Sequence, residues 1–341
     1  AELPEVNIVD MREELKSGNR SLFSQLLQDK LKDTIQAGHQ AILFLNRRGG
    51  ATYVFCRDCG DALRCPNCGT ALTQHPDVQK LRCHHCSDSR SIPSSCPSCG
   101  SSRLKSFGAG TQRIEQSLME LFPGVRTLRW DRDTTGSKGS HDLILSHFAN
   151  QRADILIGTQ MIAKGLDLPL VTLVGIVHVD IGLNLPDYRS PERTFQVLTQ
   201  VAGRAGRSLL GGKVILQTYQ PDNYVIQNAS RHDYTGFYQH ELDLRKRYGY
   251  PPFTRLARLL YRHVSSRSAE EQARHLARTI RAQNSLSEDS PTLVGPAPCF
   301  YQQLGGMWRW QIIIRAADPL QLLPEPLPKG WSLDVDPVNL L

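Results

Sequence analysis

No stretch of this 341-residue sequence approaches the ~18 consecutive apolar residues that a membrane-spanning helix needs. The longest candidates, Leu168–Val179 and Gln311–Ile314, are strand-sized, so no membrane segment is read. The first residues lack a basic-then-apolar signal pattern. They also lack an initiator Met, from which Ala1 is expected to lie inside a longer natural chain. Low-complexity tracts are missing, and the only internal repeat is a recurring pair of cysteines. Excess charge of one sign is modest: 40 basic against 33 acidic residues give +7. Eight thiolates holding two Zn²⁺ would lower this to roughly +3, too little to argue by itself for a nucleic-acid partner. With 40% hydrophobic and 21% charged residues, the composition excludes disorder, collagen and coiled coil as the main architecture. The length suits two or three domains.

Cysteine is concentrated. Eight of nine fall within Cys56–Cys99 as four Cys-x-x-Cys pairs: Cys56/Cys59, Cys65/Cys68, Cys83/Cys86 and Cys96/Cys99. A thiolate zinc site needs four sulfurs at tetrahedral corners, and a two-residue spacer lets one tight knuckle supply two of them. Gly60, Gly69 and Gly100 follow the second cysteine of three pairs, where a positive φ turns amides toward sulfur. A disulfide framework is opposed by the order of the pairs and the missing secretion signal. The spacing favours a nested arrangement, Cys65, Cys68, Cys83 and Cys86 inside Cys56, Cys59, Cys96 and Cys99, over sequential pairing across the short Cys59–Cys65 link. With four complete pairs, His75, His84 and His85 are read as solvated or nucleic-acid-facing. Cys299 is read as an ordinary buried thiol.

Around the cysteines, helix and strand patterns alternate. Ser21–Ala37 reads as an amphipathic helix and Ala41–Asn46 as a strand. After the cysteine segment come helix Arg113–Phe122, strand Val125–Trp130, helix His141–Asn150, and strands Asp154–Gly158 and Val171–Val179. A helix capped by Ser190, with Pro191 at its first position, runs to about Gly203, and Lys213–Thr218 is the last strand of the run. Such Val/Ile/Leu-rich strands predict a parallel sheet covered on both faces, with the cysteine module inserted into it. From about Asp233 the pattern changes. A charged helix to Tyr248, a strand Arg255–Val264, a helix opened by a Ser268–Glu271 capping box, and strands Trp308–Arg315 and Trp331–Val335 predict a small α+β domain of ferredoxin-like type.

Three runs carry candidate chemistry. Gln200-Val-Ala-Gly203-Arg204-Ala205-Gly206-Arg207 ends a helix with two arginines three apart, a pattern that suits a phosphoryl group gaining charge. A surface arginine pair favoured by the helix dipole reads the same residues equally well. Gly158–Asp167 lies at a strand's C-terminal end, where parallel sheets bind ligands; Thr159 suits a DNA phosphate and Asp167 a ribose hydroxyl. Asn46-Arg47-Arg48-Gly49 follows the first strand as a basic end contact or a solvated turn. Further basic candidates for phosphate contact are Arg57, Arg64, Lys80, Arg82 and Lys164.

Taken together, Glu5–Leu15, Phe44–Gly49, the eight cysteines, Gly108–Gln112, Asp131–Thr135, Gly158–Asp167, Gln200–Arg207, Gly295–Pro298 and Trp308–Gln311 resemble the PriA family of primosomal superfamily 2 DNA helicases over nearly the whole chain. The resemblance implies α/β architecture: a second RecA-like helicase lobe over 1–232, a double zinc-ribbon insertion with two four-cysteine sites over 53–106, and an α+β C-terminal domain over 233–341. It implies ATP-driven 3′→5′ unwinding at stalled or branched forks, with replication restarted by primosome assembly in the bacterial, nucleoid-associated cytoplasm. Two Zn²⁺, ATP and Mg²⁺ are the implied cofactors. DNA, the single-stranded-DNA-binding protein and primosome proteins are the implied partners. Arg207 is implied as arginine finger, with Arg204 and Gln200 beside it. Gly165 and Asp167 are expected at the nucleotide, and Thr159, Lys164, Arg47 and Arg48 at DNA. Trp308, Arg309 and Trp310 are candidates for a C-terminal contact surface.

No Gly-x-x-x-x-Gly-Lys-Ser/Thr loop occurs, since Gly212-Lys213 is followed by Val214, and Asp180 lacks an acidic partner. The family carries both groups in a first lobe, so this chain alone is expected to bind zinc and DNA without hydrolysing ATP. Two other readings remain. One is a zinc-ribbon nucleic-acid module without catalysis. The other is a dinucleotide enzyme using Gly108, Gly110 and Asp131, weakened by Arg113 at the third glycine's place.

Overall fold

The computed structural model describes residues 4–46, 52–67, 69–75, 78–106, 110–131, 134–135, 139–159, 168–205, 212–288 and 290–341; for residues 52, 75, 78 and 79 it describes the backbone alone. The elements run β1 (Glu5–Asp10), α1 (Met11–Lys16), α2 (Gln25–Gln36), β2 (Gln40–Leu45), β3 (Thr52–Cys56), β4 (Thr73–His75), β5 (Val78–Arg82), β6 (Ser89–Ser91) and β7 (Leu104–Ser106). Then come α3 (Thr111–Leu121), β8 (Thr127–Trp130), α4 (Ser140–Ala149), β9 (Ile155–Gly158), β10 (Val171–Val177), α5 (Asp180–Leu183), α6 (Ser190–Ala205) and β11 (Lys213–Thr218). The last part holds α7 (Tyr224–Ser230), α8 (Tyr234–Tyr248), β12 (Arg255–His263), α9 (Ser266–Gln283), β13 (Leu293–Leu304), β14 (Met307–Ala316), a 3₁₀ turn (Pro319–Leu322) and β15 (Trp331–Val335).

Six strands form a parallel sheet in the order β1-β11-β10-β2-β9-β8. Side chains alternate across each strand. Ile42, Phe44, Val174, Ile176 and Leu216 therefore meet α6 and α7 on one face. Ala41, Leu43, Leu45, Ile157, Leu173 and Ile215 meet α2 and α3 on the other. The cysteine segment leaves this sheet after β2 and returns at α3. Its own strands pair in the order β6-β5-β4-β3-β7. The C-terminal sheet is antiparallel, β13-β14-β12-β15, with α9 on one face. In chain order this is 2-3-1-4, the ferredoxin-like sequence of strands, with the second helix reduced to the 3₁₀ turn.

Several expectations need correction. The first long helix starts at Gln25, because the Ser24 hydroxyl accepts from the Leu27 amide and ends it there. The cap of α9 is Ser265, which accepts from the Ser268 amide, so Ser268 lies inside the helix. Strand β13 and helix α7 escaped the pattern reading: Pro296 and Pro298 interrupt the first, and the second is two turns long. Helix α8 packs with the parallel-sheet core. Phe237 is buried there and stacks on Phe195 at 4.2 Å, although the sequence change at Asp233 had placed it in the C-terminal unit.

Candidate functional site

The cysteines cluster in the nested order. The sulfurs of Cys56, Cys59, Cys96 and Cys99 lie within 4.8 Å of one another, as do those of Cys65, Cys83 and Cys86; Cys68 is outside the described residues. Sγ–Sγ distances are 3.6 Å for Cys56–Cys99, 3.7 Å for Cys59–Cys96 and 3.4 Å for Cys65–Cys86. A tetrahedron of sulfurs about 2.3 Å from a central Zn²⁺ has edges of about 3.8 Å, so both clusters fit the ion. The amides of Asp58, His85 and Cys86 point at Cys56 and Cys83 sulfurs at 3.4, 3.4 and 3.5 Å, as a thiolate requires. Burial pushes the Cys59 thiol up to about 12, and a bound cation would reverse that shift.

The first cluster is rooted in the parallel-sheet body. Phe55 and Tyr53 are buried in its core, and Phe55 lies 4.7 Å from Tyr219. Gly60, with φ +79°, passes so close that a Cβ there would sit 1.8 Å from the Tyr219 carbonyl oxygen. Arg12 donates to the Cys59 carbonyl at 3.2 Å and is held by Asp10, which also caps α1. The second cluster faces the C-terminal sheet. His84 Nδ1 lies 3.0 Å from the Pro298 carbonyl, its ring is edge-on to Phe300, and His85 meets the Thr70 hydroxyl at 3.3 Å. His84 and His85 are therefore buried contacts, not the solvated or nucleic-acid-facing groups expected, because the hairpin packs on a neighbouring sheet. The side chain of His75 is not described.

The parallel sheet reverses its direction of growth around β2: β8 and β9 lie on one side, β10 and β11 on the other. Crevices at such points, at the carboxyl ends of the strands, are where open α/β sheets take ligands. Half-buried Thr159 follows β9 there, and buried Asn46 follows β2. Beside them, Asp180 accepts from the Thr218 hydroxyl at 2.7 Å and the Tyr219 amide at 3.2 Å. Burial pushes its carboxyl up to about 6 despite those bonds. Burial pushes neighbouring His178 down to about 3, with Arg57 and Arg113 adding to the effect, and its ring stacks on Tyr219 at 6.0 Å. Tyr219, Asp180 and His178 were not expected as a cluster. The only sequence signal was a lone carboxylate at a strand end.

Helix α6 presents Gln200 to solvent, while Arg204 is buried in the last turn. At the other end, Arg193 pairs with Asp187 at 2.6 Å, and Arg245 bridges Glu192 and Glu241 at 2.8 Å each. Arg47, Arg48, Lys164, Gly165, Asp167 and Arg207 lie outside the described residues. Arg57 is half-buried, with its guanidinium in reach of the Tyr219 hydroxyl. Trp310 is buried and Trp308 half-buried under α9, so they do not form an exposed surface. Asp131 is buried and accepts from the Thr111 hydroxyl at 2.5 Å and the Thr134 amide at 3.0 Å, which commits the carboxylate that a ribose would need. No helix among the described residues is long and apolar enough to cross a membrane.

The helicase conserved C-terminal domain family matches residues 106–208, and the primosomal protein N C-terminal domain family matches 246–338. The replication restart protein PriA of Bacillus subtilis is 47% identical over 320 residues, covering 94% of this chain and 39% of that protein. Its counterpart in Synechocystis is 43% identical over 344 residues, 98% of this chain and 41% of the other. That of Chlamydia pneumoniae is 39% identical over 347 residues, 98% and 46%. The chain thus spans less than half the length of these relatives. With a helicase-type parallel sheet, an inserted pair of cysteine clusters and an antiparallel C-terminal sheet matched along nearly all its length, the chain belongs to the PriA family of replication restart proteins.

Proposed function

We propose that this chain supplies the second motor lobe, a two-zinc insertion and the C-terminal unit of an ATP-dependent 3′→5′ DNA helicase. This helicase acts at stalled or branched forks and restarts replication by assembling a primosome. The observation that carries the reading is the strand order of the parallel sheet, which reverses around β2 where half-buried Thr159 follows β9. The Gln200–Arg207 run belongs to the same lobe. The DNA backbone is assigned to Thr159, Lys164, Arg47 and Arg48, and the nucleotide to Gly165 and Asp167. Arg207 and Arg204 stabilise charge on the transferring phosphoryl group, with Gln200 beside them. ATP and its Mg²⁺ supply the phosphoryl chemistry and are held chiefly by a first lobe that this sequence does not include.

Zn²⁺ suits the two cysteine clusters, Cys56/Cys59/Cys96/Cys99 and Cys65/Cys68/Cys83/Cys86. Its role there is structural, because four thiolates leave no open coordination position. The insertion and C-terminal unit contact DNA, the single-stranded-DNA-binding protein and primosome proteins at the bacterial nucleoid. The test is Arg207→Ala in the full-length protein. DNA-stimulated ATP hydrolysis should fall by about 10³-fold or more while DNA affinity is kept. The chain 1–341 alone should show zinc and DNA binding without turnover. Full ATPase activity in Arg207→Ala would sink the assignment.

A further inference from the structure

Three arginines share the face of the C-terminal sheet that lies opposite α9. Arg262 on β12 and Arg309 on β14 are direct cross-strand partners, and Arg258 lies four residues along β12 on the same face. Like charges directly opposite across a sheet are destabilising, and a buried guanidinium normally has an acidic partner. Among the described residues none of the three arginines is in an ion pair. Arg258 and Arg309 are 6% and 9% exposed. Arg258 donates to the Asn339 carbonyl at 3.4 Å and the Cys299 sulfur at 3.6 Å, and Arg309 to the Tyr301 carbonyl at 3.4 Å. The Nε of each is buried without a hydrogen-bond partner.

We propose that Arg258, Arg262 and Arg309 form an anion site that takes a phosphate of the nucleic-acid backbone, at the seam between the C-terminal sheet and the cysteine hairpin. The site is open at one side. Arg262 is exposed, and Arg82 of β5 reaches across the seam to Gln302 Oε1 at 3.5 Å. Tyr301, 36% exposed, offers a ring at the same rim on which a base can stack. Several guanidinium groups on one sheet face suit a phosphate's several oxygens: exposed Arg262 is the donor that reaches it, and the buried charges of Arg258 and Arg309 lie behind on the same face. Cys299 does not meet the need. Burial pushes its thiol up, so it is neutral at pH 7 and leaves the arginine charge uncompensated. In keeping with this, Arg309 is driven below its usual range by burial and by Arg258 and Arg262. A backbone phosphate seated here would tie the zinc insertion and the C-terminal sheet to the same strand of DNA.

The inference rests on the DNA-binding reading above, and the two fail differently. In the full-length protein, affinity for a fluorescent single-stranded oligonucleotide is measured across a salt series for wild type, Arg262→Ala and Arg267→Ala. Arg267 lies on α9, away from this face, and its loss controls for net charge. Arg262→Ala should weaken binding about fivefold and lower the salt exponent by about one, with Arg267→Ala near wild type. Inorganic phosphate, against chloride at equal ionic strength, should raise the thermal midpoint of wild type but not of Arg262→Ala. An equal phosphate effect in both proteins overturns the site. A phosphate effect lost in Arg262→Ala with an unchanged salt exponent shows a free-anion site and overturns the nucleic-acid assignment. If wild type fails to hydrolyse ATP on DNA, the motor reading falls and this measurement stands.

Discussion

Gly60 and Gly69 occupy the same position in their knuckles, and the sequence treats them alike. Both have positive φ, +79° and +70°, and both donate to the carbonyl of their knuckle's first cysteine, at 2.9 and 2.8 Å. Their surroundings differ. Nothing lies within 4 Å of a Cβ built on Gly69, whereas one on Gly60 would overlap the Tyr219 carbonyl. Gly69→Ala should therefore cost about 1 kcal/mol of backbone strain. Gly60→Ala adds a steric clash with main chain and should cost about 3 kcal/mol or more. Denaturant midpoints of the two variants, with zinc content checked at two per chain, measure the difference. Equal losses would mean that the first knuckle is not seated on the parallel-sheet body.

At the scale of elements, α6 is gripped at its start by the segment that follows β15. The Asp187 side chain is fully buried, pairs with Arg193, and accepts from the Leu340 amide at 3.3 Å. The Val338 carbonyl accepts from Arg193 and Arg189, and Leu340 is buried beside Tyr188. Asp187→Ala leaves Arg193 and the Leu340 amide without that acceptor. Arg193 keeps partial solvent access, so a loss of about 2 kcal/mol is expected, below the range for a fully buried pair. On the roles proposed above for Gln200 and Arg204, which ride on the same helix, kcat for ATP in the full-length protein should fall with little change in KM, as for groups acting mainly in the transition state. A change confined to KM would show that the tilt of α6 does not reach its far end.

Across the whole molecule the cysteine insertion is a bridge. One end packs through Phe55 and Gly60 on Tyr219, the other through His84 on Pro298 and Phe300. A small domain whose folding depends on zinc loses its structure with the metal. Chelation should then expose residues 52–106 to protease. It should also lower the thermal midpoint of the remainder by about 5 °C, since contacts on both neighbours vanish together. A midpoint unchanged by metal removal would mean that the insertion is a passenger.

The sequence by itself carried five of the six parallel-sheet strands, because buried parallel strands read as unbroken apolar runs; β1, half-buried at the sheet edge, was not read. It also carried the cysteine grouping, because short knuckles with wide outer spacing close most easily as nested pairs. Arg204 was legible as a residue, but its burial was not. Only the tertiary structure decided that Trp308 and Trp310 turn under α9 while Arg309 between them turns to the opposite face of the sheet, since strand alternation separates neighbours without saying which face is covered. It likewise buried His84 and His85, moved α8 into the parallel-sheet core, and left Arg258 and Arg309 without a carboxylate partner among the described residues. Each outcome depends on which surfaces meet across long stretches of chain, which local propensity does not encode.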